Sequence, residues 1–582
     1  MIELFEVTEE HDRRLALTAT GLLRTFNDAG VLTAADVHVA QRVGLLGGES
    51  DQEVLLAVAL ATRAVRHGSV CLDLATVADA AAELPWPSYD AWVSSVAASP
   101  LVTVGVLRWE FGLLYLDRYW HQEVQVHADL QARTRQPPPV VDEAMLNEGE
   151  TRVFGGPTYA EQRAASGRAA KQWTTVLTGG PGTGKTTTVA GVLALLAEQA
   201  ALTGDTLRIA LTAPTGKAAA RLQEAVASAS FSLPAGDRDR LGTLQASTLH
   251  RLLGTRRDNG TRFRHHRTNR LPHDVVVVDE TSMVSLTMMA RLIEAVRLDA
   301  RLVLVGDPDQ LASVEAGAVL ADLVAGFEHV PTSPVVGLET SHRFGAEIGR
   351  LATAVRVGDA DAVMEALRAG SAEVEFVESV DPAPLLRAEL LRAALAVRAL
   401  ADAGDAAGAV AALDRHRLLC AHRQGPYGVR HWNRQVEHWI TDATGDPLYD
   451  EMYVGRPLLV TANDYGLGVY NGDSGVVVRQ ADGTLRAAIG GSAGLLDFAT
   501  SRMSDVDTMH AMTIHKSQGS QADHVTVLLP PEESRLLTRE LFYTAVTRAK
   551  EKVRVVGTES SVRAAVDRRA QRASGLRHRL GS

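Results

Sequence analysis

Cysteine is nearly absent from this chain of 582 residues, which contains only Cys71 and Cys420. Two thiols are too few for a disulfide scaffold or a paired-cysteine zinc site, so we expect buried thiols in a reducing cytoplasm. Long hydrophobic runs are also absent: no stretch of about 18 uncharged apolar residues occurs, which argues against a membrane-spanning helix. The acidic, polar start of the sequence is unlike a secretory signal peptide.

An excess of positive charge is missing as well. The sequence has 59 Lys and Arg residues against 70 Asp and Glu residues, which gives a formal net charge of -11. Long-range attraction of nucleic acid should therefore be weak, and any nucleic-acid site has to be a local groove of positive charge. At about 150 residues per domain, the length predicts several domains with separate cores.

The most informative motif present is GGPGTGKT at residues 179–186, between a β-rich apolar run and a helical pattern over 187–198. That context favours a phosphate-binding loop over an ordinary glycine-rich turn. Glycines let backbone N–H groups approach phosphate oxygens, and the helix N-terminus adds partial positive charge. We expect Lys185 to reach the β- and γ-phosphates of ATP and the Thr186 hydroxyl to hold Mg²⁺. The candidate nucleotide contacts are Gly179, Gly180, Pro181, Gly182, Thr183, Gly184, Lys185, Thr186 and Thr187.

Two carboxylates follow a run of four valines at residues 274–280. Continuous apolar runs are typical of buried parallel strands, and active residues lie at the carboxyl ends of such strands. Combined with the phosphate loop, this pattern predicts that Asp279 holds Mg²⁺ through water and that Glu280 polarises an attacking water. A further strand at 301–305 leads to Gln310, which we expect to sense the γ-phosphate.

The pattern of the chain predicts an α/β protein with four parts. Residues 1–130 are mainly helical, with one long helix over 113–130, and contain no catalytic constellation, which favours a packing or docking domain. Three prolines at 137–139 cannot continue a helix, so we place a linker at 131–150. Residues 151–335 alternate strands and helices, which is typical of a parallel sheet.

The second half, residues 336–582, repeats the alternation of strands and helices without a phosphate loop. We interpret 345–415 as solvated helices. Short β-runs with turn signals at about 449–504 predict a small insertion resembling a β-barrel.

A basic segment at 255–270 differs from its surroundings. Asn259-Gly260 is a strong signal for a two-residue hairpin turn. A solvated basic loop and a β-hairpin that touches nucleic acid remain equal alternatives. The basic residues that flank the turn signal are Arg256, Arg257, Arg262, Arg264, His265, His266, Arg267 and Arg270.

Seven segments occur in the order found in superfamily 1 DNA helicases: GGPGTGKTT, APTGKAAARL, DVVVVDE, VGDPDQL, ETSHRF, TIHKSQGS and YTAVTRAK. The form TIHKSQG resembles the group that translocates 5′ to 3′. Within that group the chain resembles the RecD family, the alpha subunits of exodeoxyribonuclease V (RecBCD). The resemblance implies two RecA-like P-loop NTPase domains with ATP between them, a helical N-terminal domain that docks on RecC, and an SH3-like insertion in the second RecA-like domain.

The resemblance also implies roles for individual residues. Gln162 would contact adenine, and Gln518 and Gly519 would contact the nucleotide from the second domain. Arg343 and Arg548 would act as arginine fingers on the γ-phosphate. The residues in motifs that line a single-strand path are Pro214, Thr215, Gly216, Lys217, Thr248, His250, Thr513, His515 and Lys516.

The function implied is that of an ATP-dependent 5′→3′ single-stranded DNA translocase and helicase. It would act with RecB and RecC on duplex ends during double-strand break processing and recombinational repair. No G-x-x-D…D-Y-K cluster occurs here, so the nuclease site is expected in RecB. The alternatives are a stand-alone RecD-like helicase, although those carry a longer N-terminal extension, and a mainly structural ATP-binding subunit. Only the resemblance favours DNA over RNA.

Overall fold

The structure is a computed structural model that describes residues 12–256, 259–340, 345–464, 466–491 and 494–581. Within these ranges the chain has a mixed α/β fold with two parallel sheets, a helical N-terminal region and a separate antiparallel sheet. The predicted α/β class is therefore confirmed. None of the described helices combines the length and the apolar character needed to cross a membrane.

The N-terminal region is built around a buried helix that begins at the Asp51 cap, where the carboxylate accepts a hydrogen bond from the backbone N–H of Glu53. A three-stranded antiparallel sheet, ordered β1-β3-β2, accompanies the helices. The predicted single helix over 113–130 is wrong at its start, because Phe111 and Gly112 both have positive φ angles and turn one strand back on another. The elements are α1 (Gly21–Asp28), α2 (Ala34–Gly47), α3 (Gln52–Arg66), α4 (Tyr89–Ala98), α5 (Pro100–Thr103), α6 (Asp117–Thr134), β1 (Leu72–Asp73), β2 (Leu107–Glu110) and β3 (Leu113–Leu116).

The linker predicted at 131–150 is wrong at both ends. Helix α6 continues to Thr134, and a further helix begins at Glu143. Arg133 is buried on α6 and donates hydrogen bonds to Thr174 Oγ1 (2.9 Å) and to the carbonyls of Arg297 (2.7 Å), Trp173 and Ala300. These bonds join α6 to the amino-terminal ends of two neighbouring interior strands of the first parallel sheet. Only 135–142 therefore runs without helix.

The first parallel sheet has helices on both faces. The elements of this part of the chain are α7 (Glu143–Val153), α8 (Ala160–Lys171), α9 (Lys185–Ala201), α10 (Gly216–Phe231), α11 (Ala235–Leu241), α12 (Leu249–Leu253), α13 (Leu286–Ala295), α14 (Val319–Gly326), β4 (Thr174–Gly179), β5 (Ile209–Ala213), β6 (Ala246–Thr248), β7 (Thr255–Arg256), β8 (Asn259–Phe263), β9 (Val275–Val278), β10 (Arg301–Gly306) and β11 (Val335–Leu338). The strand order is β11-β4-β10-β9-β5-β6, all parallel. Val276 and Val278 pack on one face with Val126 of α6, while Val275 and Val277 pack on the other.

The basic segment forms an antiparallel pair of β7 with β8. Asn259 and Gly260 lie in β8 and not at the turn, so the predicted turn position is wrong; Arg257 lies outside the described residues. Arg267 binds both carboxylate oxygens of Asp129 on α6, at 2.8 and 2.7 Å. Part of the predicted basic surface is therefore held against the protein.

The second half contains another parallel sheet and an antiparallel sheet. Its elements are α15 (Ala346–Val357), α16 (Ala360–Ala369), α17 (Ala383–Asp402), α18 (Ala406–Leu413), α19 (Val429–Thr444), α20 (Arg539–Val546), α21 (Glu559–Asp567), α22 (Leu576–Leu580), β12 (Val374–Glu378), β13 (His416–Cys420), β14 (Pro457–Val460), β15 (Ser474–Arg479), β16 (Leu485–Gly491), β17 (Gly494–Ala499), β18 (Val506–Thr508), β19 (Ala511–Thr513), β20 (Ala522–Leu528) and β21 (Ala549–Gly557). The parallel order is β12-β21-β20-β13-β19, and the antiparallel order is β17-β16-β15-β14-β18.

Two expectations for this half need correction. The region 345–415 is not simply solvated helix, because Ile348, Leu351 and Val355 are buried in the core and β12 joins the sheet edge beside β21. The antiparallel sheet lies where the β-rich insertion was predicted, but its last strand runs to Thr508, past the predicted end at 504.

The chain ends in a segment that returns to the first parallel sheet. Residues 572–580, which we call the C-terminal strap, bury Leu576 and Leu580 in the core beneath that sheet. Ser574 Oγ and the backbone N–H of Gly575 donate to one oxygen of Glu123 on α6, at 2.9 and 3.0 Å. The strap therefore ties the second half of the chain to the N-terminal region.

Candidate nucleotide site between the two parallel sheets

The phosphate loop follows β4, which lies beside β10, and β10 lies beside β9. Parallel strands end at the same edge of a sheet, so the loop, Asp307 after β10 and Asp279 after β9 meet there. Gly182 and Gly184 have φ angles of 83° and 84°, a left-handed conformation that favours glycine. A Cβ atom on Gly179 would lie 2.5 Å from Thr183 Oγ1 and 2.8 Å from the Leu338 carbonyl. The loop thus needs its glycines for close backbone packing.

Lys185 and Thr186 begin helix α9 directly after the loop. Lys185 Nζ donates hydrogen bonds to the carbonyls of Gly179 (2.6 Å) and Gly180 (2.8 Å). The ammonium group is thereby held over the loop, at a helix N-terminus that already carries partial positive charge. This combination favours an anion with several oxygens.

Asp279 and Glu280 lie at the end of β9, opposite the loop. Burial, and after it the charge of Glu280, raises the pKa of Asp279 to about 6. Asp279 Oδ1 accepts a hydrogen bond from the backbone N–H of Glu280 at 2.9 Å. Glu280 has a φ angle of 50°, a left-handed conformation that costs a non-glycine residue about 1–3 kcal/mol and is typical of functional sites.

A cavity of about 370 Å³ lies at this edge, and both halves of the chain line it. The first half contributes the phosphate loop, the β9 carboxylates and Gln310, and the second half contributes Gly519, Gln521 and Arg548. The lining residues are Tyr159, Gln162, Pro181, Gly182, Gly184, Lys185, Thr186, Thr187, Ala218, Arg221, Leu222, Ala225, Asp279, Glu280, Gly306, Asp307, Gln310, Gly519, Gln521 and Arg548.

Side chains join the two walls of the cavity directly. Arg548 is buried, and its Nη2 donates to Gln310 Oε1 at 3.0 Å. Burial lowers the pKa of Arg548, while the charge of Glu280 raises it. In the other direction, Arg221 Nη1 donates to the Gly519 carbonyl at 2.7 Å. Gln518 does not line the cavity, but its Nε2 donates to the Leu311 carbonyl at 2.7 Å.

Gln162 lies on α8 at one end of the cavity and is 1% exposed. Its Nε2 makes a long hydrogen bond of 3.5 Å to the Thr183 carbonyl. Its Oε1 is buried and has no hydrogen-bond partner among the described residues. A buried acceptor without a partner is costly, so this atom is suited to an N–H donor from a ligand.

The residues predicted to line a path for single-stranded DNA form two groups, one in each half of the chain. In the first half, 214–217 follows β5 and Thr248 ends β6, and the register pairs Ala213 with Thr248. Gly216 lies against Tyr470, since a Cβ on that glycine would be 2.6 Å from the tyrosine Cβ. Burial, and after it the positive charge of Arg417, lowers the pKa of Lys217 to about 8.

The threonines among these candidates also cap local structure. Thr215 Oγ1 accepts from the backbone N–H of Ala218 (3.2 Å), and Thr248 Oγ1 accepts from that of Arg251 (3.2 Å). In the second half, Thr513 Oγ1 likewise accepts from the backbone N–H of Lys516 (3.3 Å).

The other candidates differ in their exposure. His250 is exposed, and burial lowers the pKa values of His515 and Lys516. Pro214 is partly buried beside Thr215.

Several residues of the site were missed by the sequence reasoning. Asp307, Tyr159 and Gln521 line the cavity, and Arg221 spans it. Asp307 stands in the same GDPDQL segment as Gln310, which was the available signal. Arg343 lies outside the described residues, so its predicted role stays a prediction.

Comparisons with known proteins show the family to which the chain belongs. The profile of the AAA domain matches residues 162–316, and that of the UvrD-like helicase C-terminal domain matches 508–556. The profile of the RecBCD enzyme subunit RecD, N-terminal domain, matches 28–109. The RecBCD enzyme subunit RecD of Mycobacterium tuberculosis is 61% identical over 579 residues, covering 98% of this chain and 99% of that protein. The chain belongs to the RecD family.

Another RecD, from Mycolicibacterium smegmatis, is 62% identical over 564 residues and covers 96% of this chain and 99% of its own. The ATP-dependent RecD2 DNA helicase of Deinococcus radiodurans is 32% identical over 425 residues, which span 72% of this RecD-family chain but 52% of that protein. A crystal structure of Pif1 helicase from Bacteroides in complex with ADP-AlF3 and ssDNA has a TM-score of 0.39 and 15% identity, covering 68% of this chain and 91% of that one.

Proposed function

We propose that this RecD-family chain is an ATP-dependent motor that moves 5′ to 3′ along single-stranded DNA and unwinds DNA as a subunit with RecB and RecC. The observation that carries the proposal is the cavity with its two walls: Lys185, Glu280 and Gln310 on one side and Arg548 on the other. An ATPase that couples hydrolysis to domain closure needs charge from both walls at one phosphate. RecA-like domains on the two parallel sheets provide those walls.

The site fits a nucleoside triphosphate in three respects. The Gly179 position has no room for a side chain, as expected for a loop that wraps phosphates. The ammonium group of Lys185 donates hydrogen bonds to two carbonyls of the loop and can donate to phosphate oxygens in their place. The Oε1 of Gln162, for which the described part of the chain offers no hydrogen-bond partner, can accept the exocyclic N–H of adenine.

Mg²⁺ fits the same site because nucleotide-bound Mg²⁺ takes one or two protein ligands and obtains the rest from phosphates and water. Thr186 and Asp279 both line the cavity and provide a hydroxyl and a carboxylate. When bound, the ion neutralises charge that develops on the phosphates. Asp279 would hold it from the end of β9, and Thr186 from the start of α9.

The chain's own residues then divide the work of hydrolysis. Glu280 accepts a hydrogen bond from the attacking water and orients it. Lys185, Gln310 and Arg548 hold the γ-phosphate, with Arg343 proposed as a second arginine finger. Because Arg548 belongs to the opposite wall, charge stabilisation is complete only when the walls are closed.

Strand movement would use the groups at the ends of β5, β6 and β19. Phosphate contacts from such groups position a strand without reading its sequence. We further propose that the antiparallel sheet is an SH3-like insertion and that the N-terminal region docks on RecC. The β7–β8 pair is proposed to touch DNA through the part of the basic segment that is not bound to α6.

The first experiment tests the motor. Lys185→Ala should abolish ATP hydrolysis stimulated by single-stranded DNA, while Lys550→Ala, on the surface beside Asp523, should retain it. Substrates with a 5′ or a 3′ overhang then test polarity: unwinding only from the 5′ overhang is expected. Near-normal turnover by Lys185→Ala would refute the site.

The second experiment tests the assembly. A tagged chain purified from its native cell should bring RecB and RecC with it in stoichiometric amounts. Full activity of a chain that never associates with them would instead favour a stand-alone helicase.

A further inference from the structure

Helix α20 faces one short loop of the opposite wall, residues 307–311. Two bonds join them: Tyr543 Oη donates to Asp307 Oδ2 (3.1 Å), and the backbone N–H of Leu311 donates to Thr544 Oγ1 (3.0 Å). A third comes from Arg548, two residues past the end of α20, which donates to Gln310. Thr544 holds the loop backbone at Leu311, and Arg548 holds the side chain of Gln310. Tyr543 holds the carboxylate of Asp307, at the start of the loop.

The amide of Gln310 is bonded at both ends. Its Nε2 donates to Asp307 Oδ2 at 3.0 Å, and its Oε1 accepts from Arg548 Nη2 at 3.0 Å. Since only the NH₂ group can donate to a carboxylate, this network defines the orientation of the amide. Asp307 Oδ2 thus accepts from Gln310 and Tyr543 together, and the aspartate sets where the glutamine lies.

All four side chains are buried, with exposures of 3% for Tyr543 and Asp307, 6% for Gln310 and 4% for Arg548. Buried polar groups depend on their partners, because an unpaired polar group is costly where the local dielectric constant is low. Burial raises the pKa of Asp307, and the charge of Lys185 and, after it, the hydrogen bonds from Gln310 and Tyr543 counteract that rise. The hydroxyl of Tyr543 therefore supports the charged form of a carboxylate that burial disfavours.

The same hydroxyl also reaches the phosphate loop. A Cβ atom on Gly180 would lie 3.0 Å from Tyr543 Oη, so the tyrosine and the loop backbone are in close approach. Gly180 is one of the two residues whose carbonyls hold Lys185. One hydroxyl from the second half therefore meets both the phosphate loop and the loop of Gln310.

We propose that Tyr543 is a positioning residue for ATP hydrolysis, acting through Asp307 on the amide of Gln310. When the walls close, its hydroxyl orients Asp307, Asp307 orients Gln310, and Gln310 meets the γ-phosphate together with Arg548. When they open, Tyr543 leaves with α20, and the glutamine loses its alignment. This inference rests on the proposed function, since it assigns a role within the same site.

The test is Tyr543→Phe in the full-length chain, which keeps the ring and removes only the hydroxyl. Tyr453→Phe is the matched control: Tyr453 is also buried and donates to a carboxylate, Glu437, at 3.2 Å, away from the cavity. With saturating single-stranded DNA, kcat of Tyr543→Phe should fall about tenfold or more, because small misplacements of reacting groups can cost about 10²-fold. KM for ATP and the melting temperature should match those of the control.

A kcat within about twofold of wild type would overturn the proposal. A loss seen equally in Tyr453→Phe would overturn it as well, since it would show a general effect on folding. Asp307→Ala provides a second arm: if Tyr543 acts through Asp307, adding Tyr543→Phe to that variant should lower kcat no further. Two losses that multiply would exclude the relay.

Wild type and Lys185→Ala are measured alongside, so the two levels of the hypothesis can be separated. If wild type shows no DNA-stimulated hydrolysis above Lys185→Ala, the proposed function fails and the role of Tyr543 fails with it. If wild type is stimulated and Tyr543→Phe equals it, only the role of Tyr543 is lost.

Discussion

Arg548 donates a hydrogen bond to the side-chain oxygen of Gln310 at 3.0 Å, across 238 residues of sequence and across the cavity. The other acceptors of this guanidinium include the carbonyls of Thr544 (3.0 Å) and Ser520 (3.5 Å), which are neutral. Arginine remains protonated even where burial opposes it, so the group offers a positive charge to an anion in the cavity.

We predict that Arg548→Ala lowers DNA-stimulated kcat by about 10³-fold, the contribution typical of an arginine finger. Arg548→Lys should recover little, because an ammonium group cannot form the planar fork. The control is Arg563→Ala on α21, which removes an exposed ion pair with Asp361 of α16. Steady-state phosphate release measures all three, and a decrease of less than about tenfold in Arg548→Ala would contradict the role.

The local motifs of this site could be read from sequence, whereas the pairings across it could not. The loop at 179–186 and the pair Asp279-Glu280 are each a contiguous segment, and the strand or helix patterns that identify each of them are adjacent in sequence. Tyr543 has its carboxylate partner 236 residues away, and no local pattern specifies that distance. The segment YTAVTRAK that contains Tyr543 was recognisable as a motif, but which loop it faces depends on how the two sheets pack.

The same limit explains the errors in the fold. Prolines at 137–139 correctly exclude helix there, but the chain on either side is ordered by distant partners. Arg133 is buried against Trp173 and Arg297, so tertiary contacts extend α6 past the position where composition suggested a linker. In the same way β12 becomes a strand because β21 pairs with it.

Gln162 allows a test of base selection. Its buried Oε1 has no partner among the described residues and can accept the amine of adenine, whereas guanine presents a carbonyl at that position. Gln162→Ala should raise KM for ATP about tenfold and reduce the preference for ATP over GTP, because an unpaired polar group no longer penalises the wrong base. Gln199→Ala, which removes an exposed contact with Asp142, should change neither value. An unchanged ATP-to-GTP ratio in Gln162→Ala would rule out the contact.

Lys217 should make DNA binding depend on pH. Its lowered pKa of about 8 means that the ammonium group is charged below pH 8 and becomes neutral as the pH rises through that value. Between about pH 7 and pH 9, the plot of log K against log salt for single-stranded DNA should become less steep: the magnitude of its negative slope should decrease by about 0.7, the value of one phosphate contact. Lys217→Arg stays protonated and should keep its slope. Equal pH dependence in both proteins would exclude Lys217 as the contact.

The C-terminal strap should stabilise the folded chain through Arg579. This arginine is buried, its Nε lies 3.3 Å from Glu123 Oε2, and it also binds Glu110. Removing one partner of a buried ion pair leaves an uncompensated charge, so Arg579→Ala should lower the free energy of unfolding by about 3–5 kcal/mol. Arg577→Ala, in the same helix but exposed, should have little effect. Urea unfolding followed by tryptophan fluorescence measures the difference.

The loss in Arg579→Ala should also depend on pH, with a sign that follows from Glu123. Burial raises the pKa of Glu123 above its ordinary value, so the folded state binds the proton more tightly than the unfolded state does. The contribution of Glu123 to the free energy of unfolding is therefore largest at low pH, and it is lost as the pH rises through the pKa that Glu123 has in the folded state. Without Arg579 the charged form is less favourable still, and the destabilisation should be smaller at about pH 5 than at about pH 8. A loss that is equal at both values would show that Arg579 acts by packing and not by compensating this carboxylate.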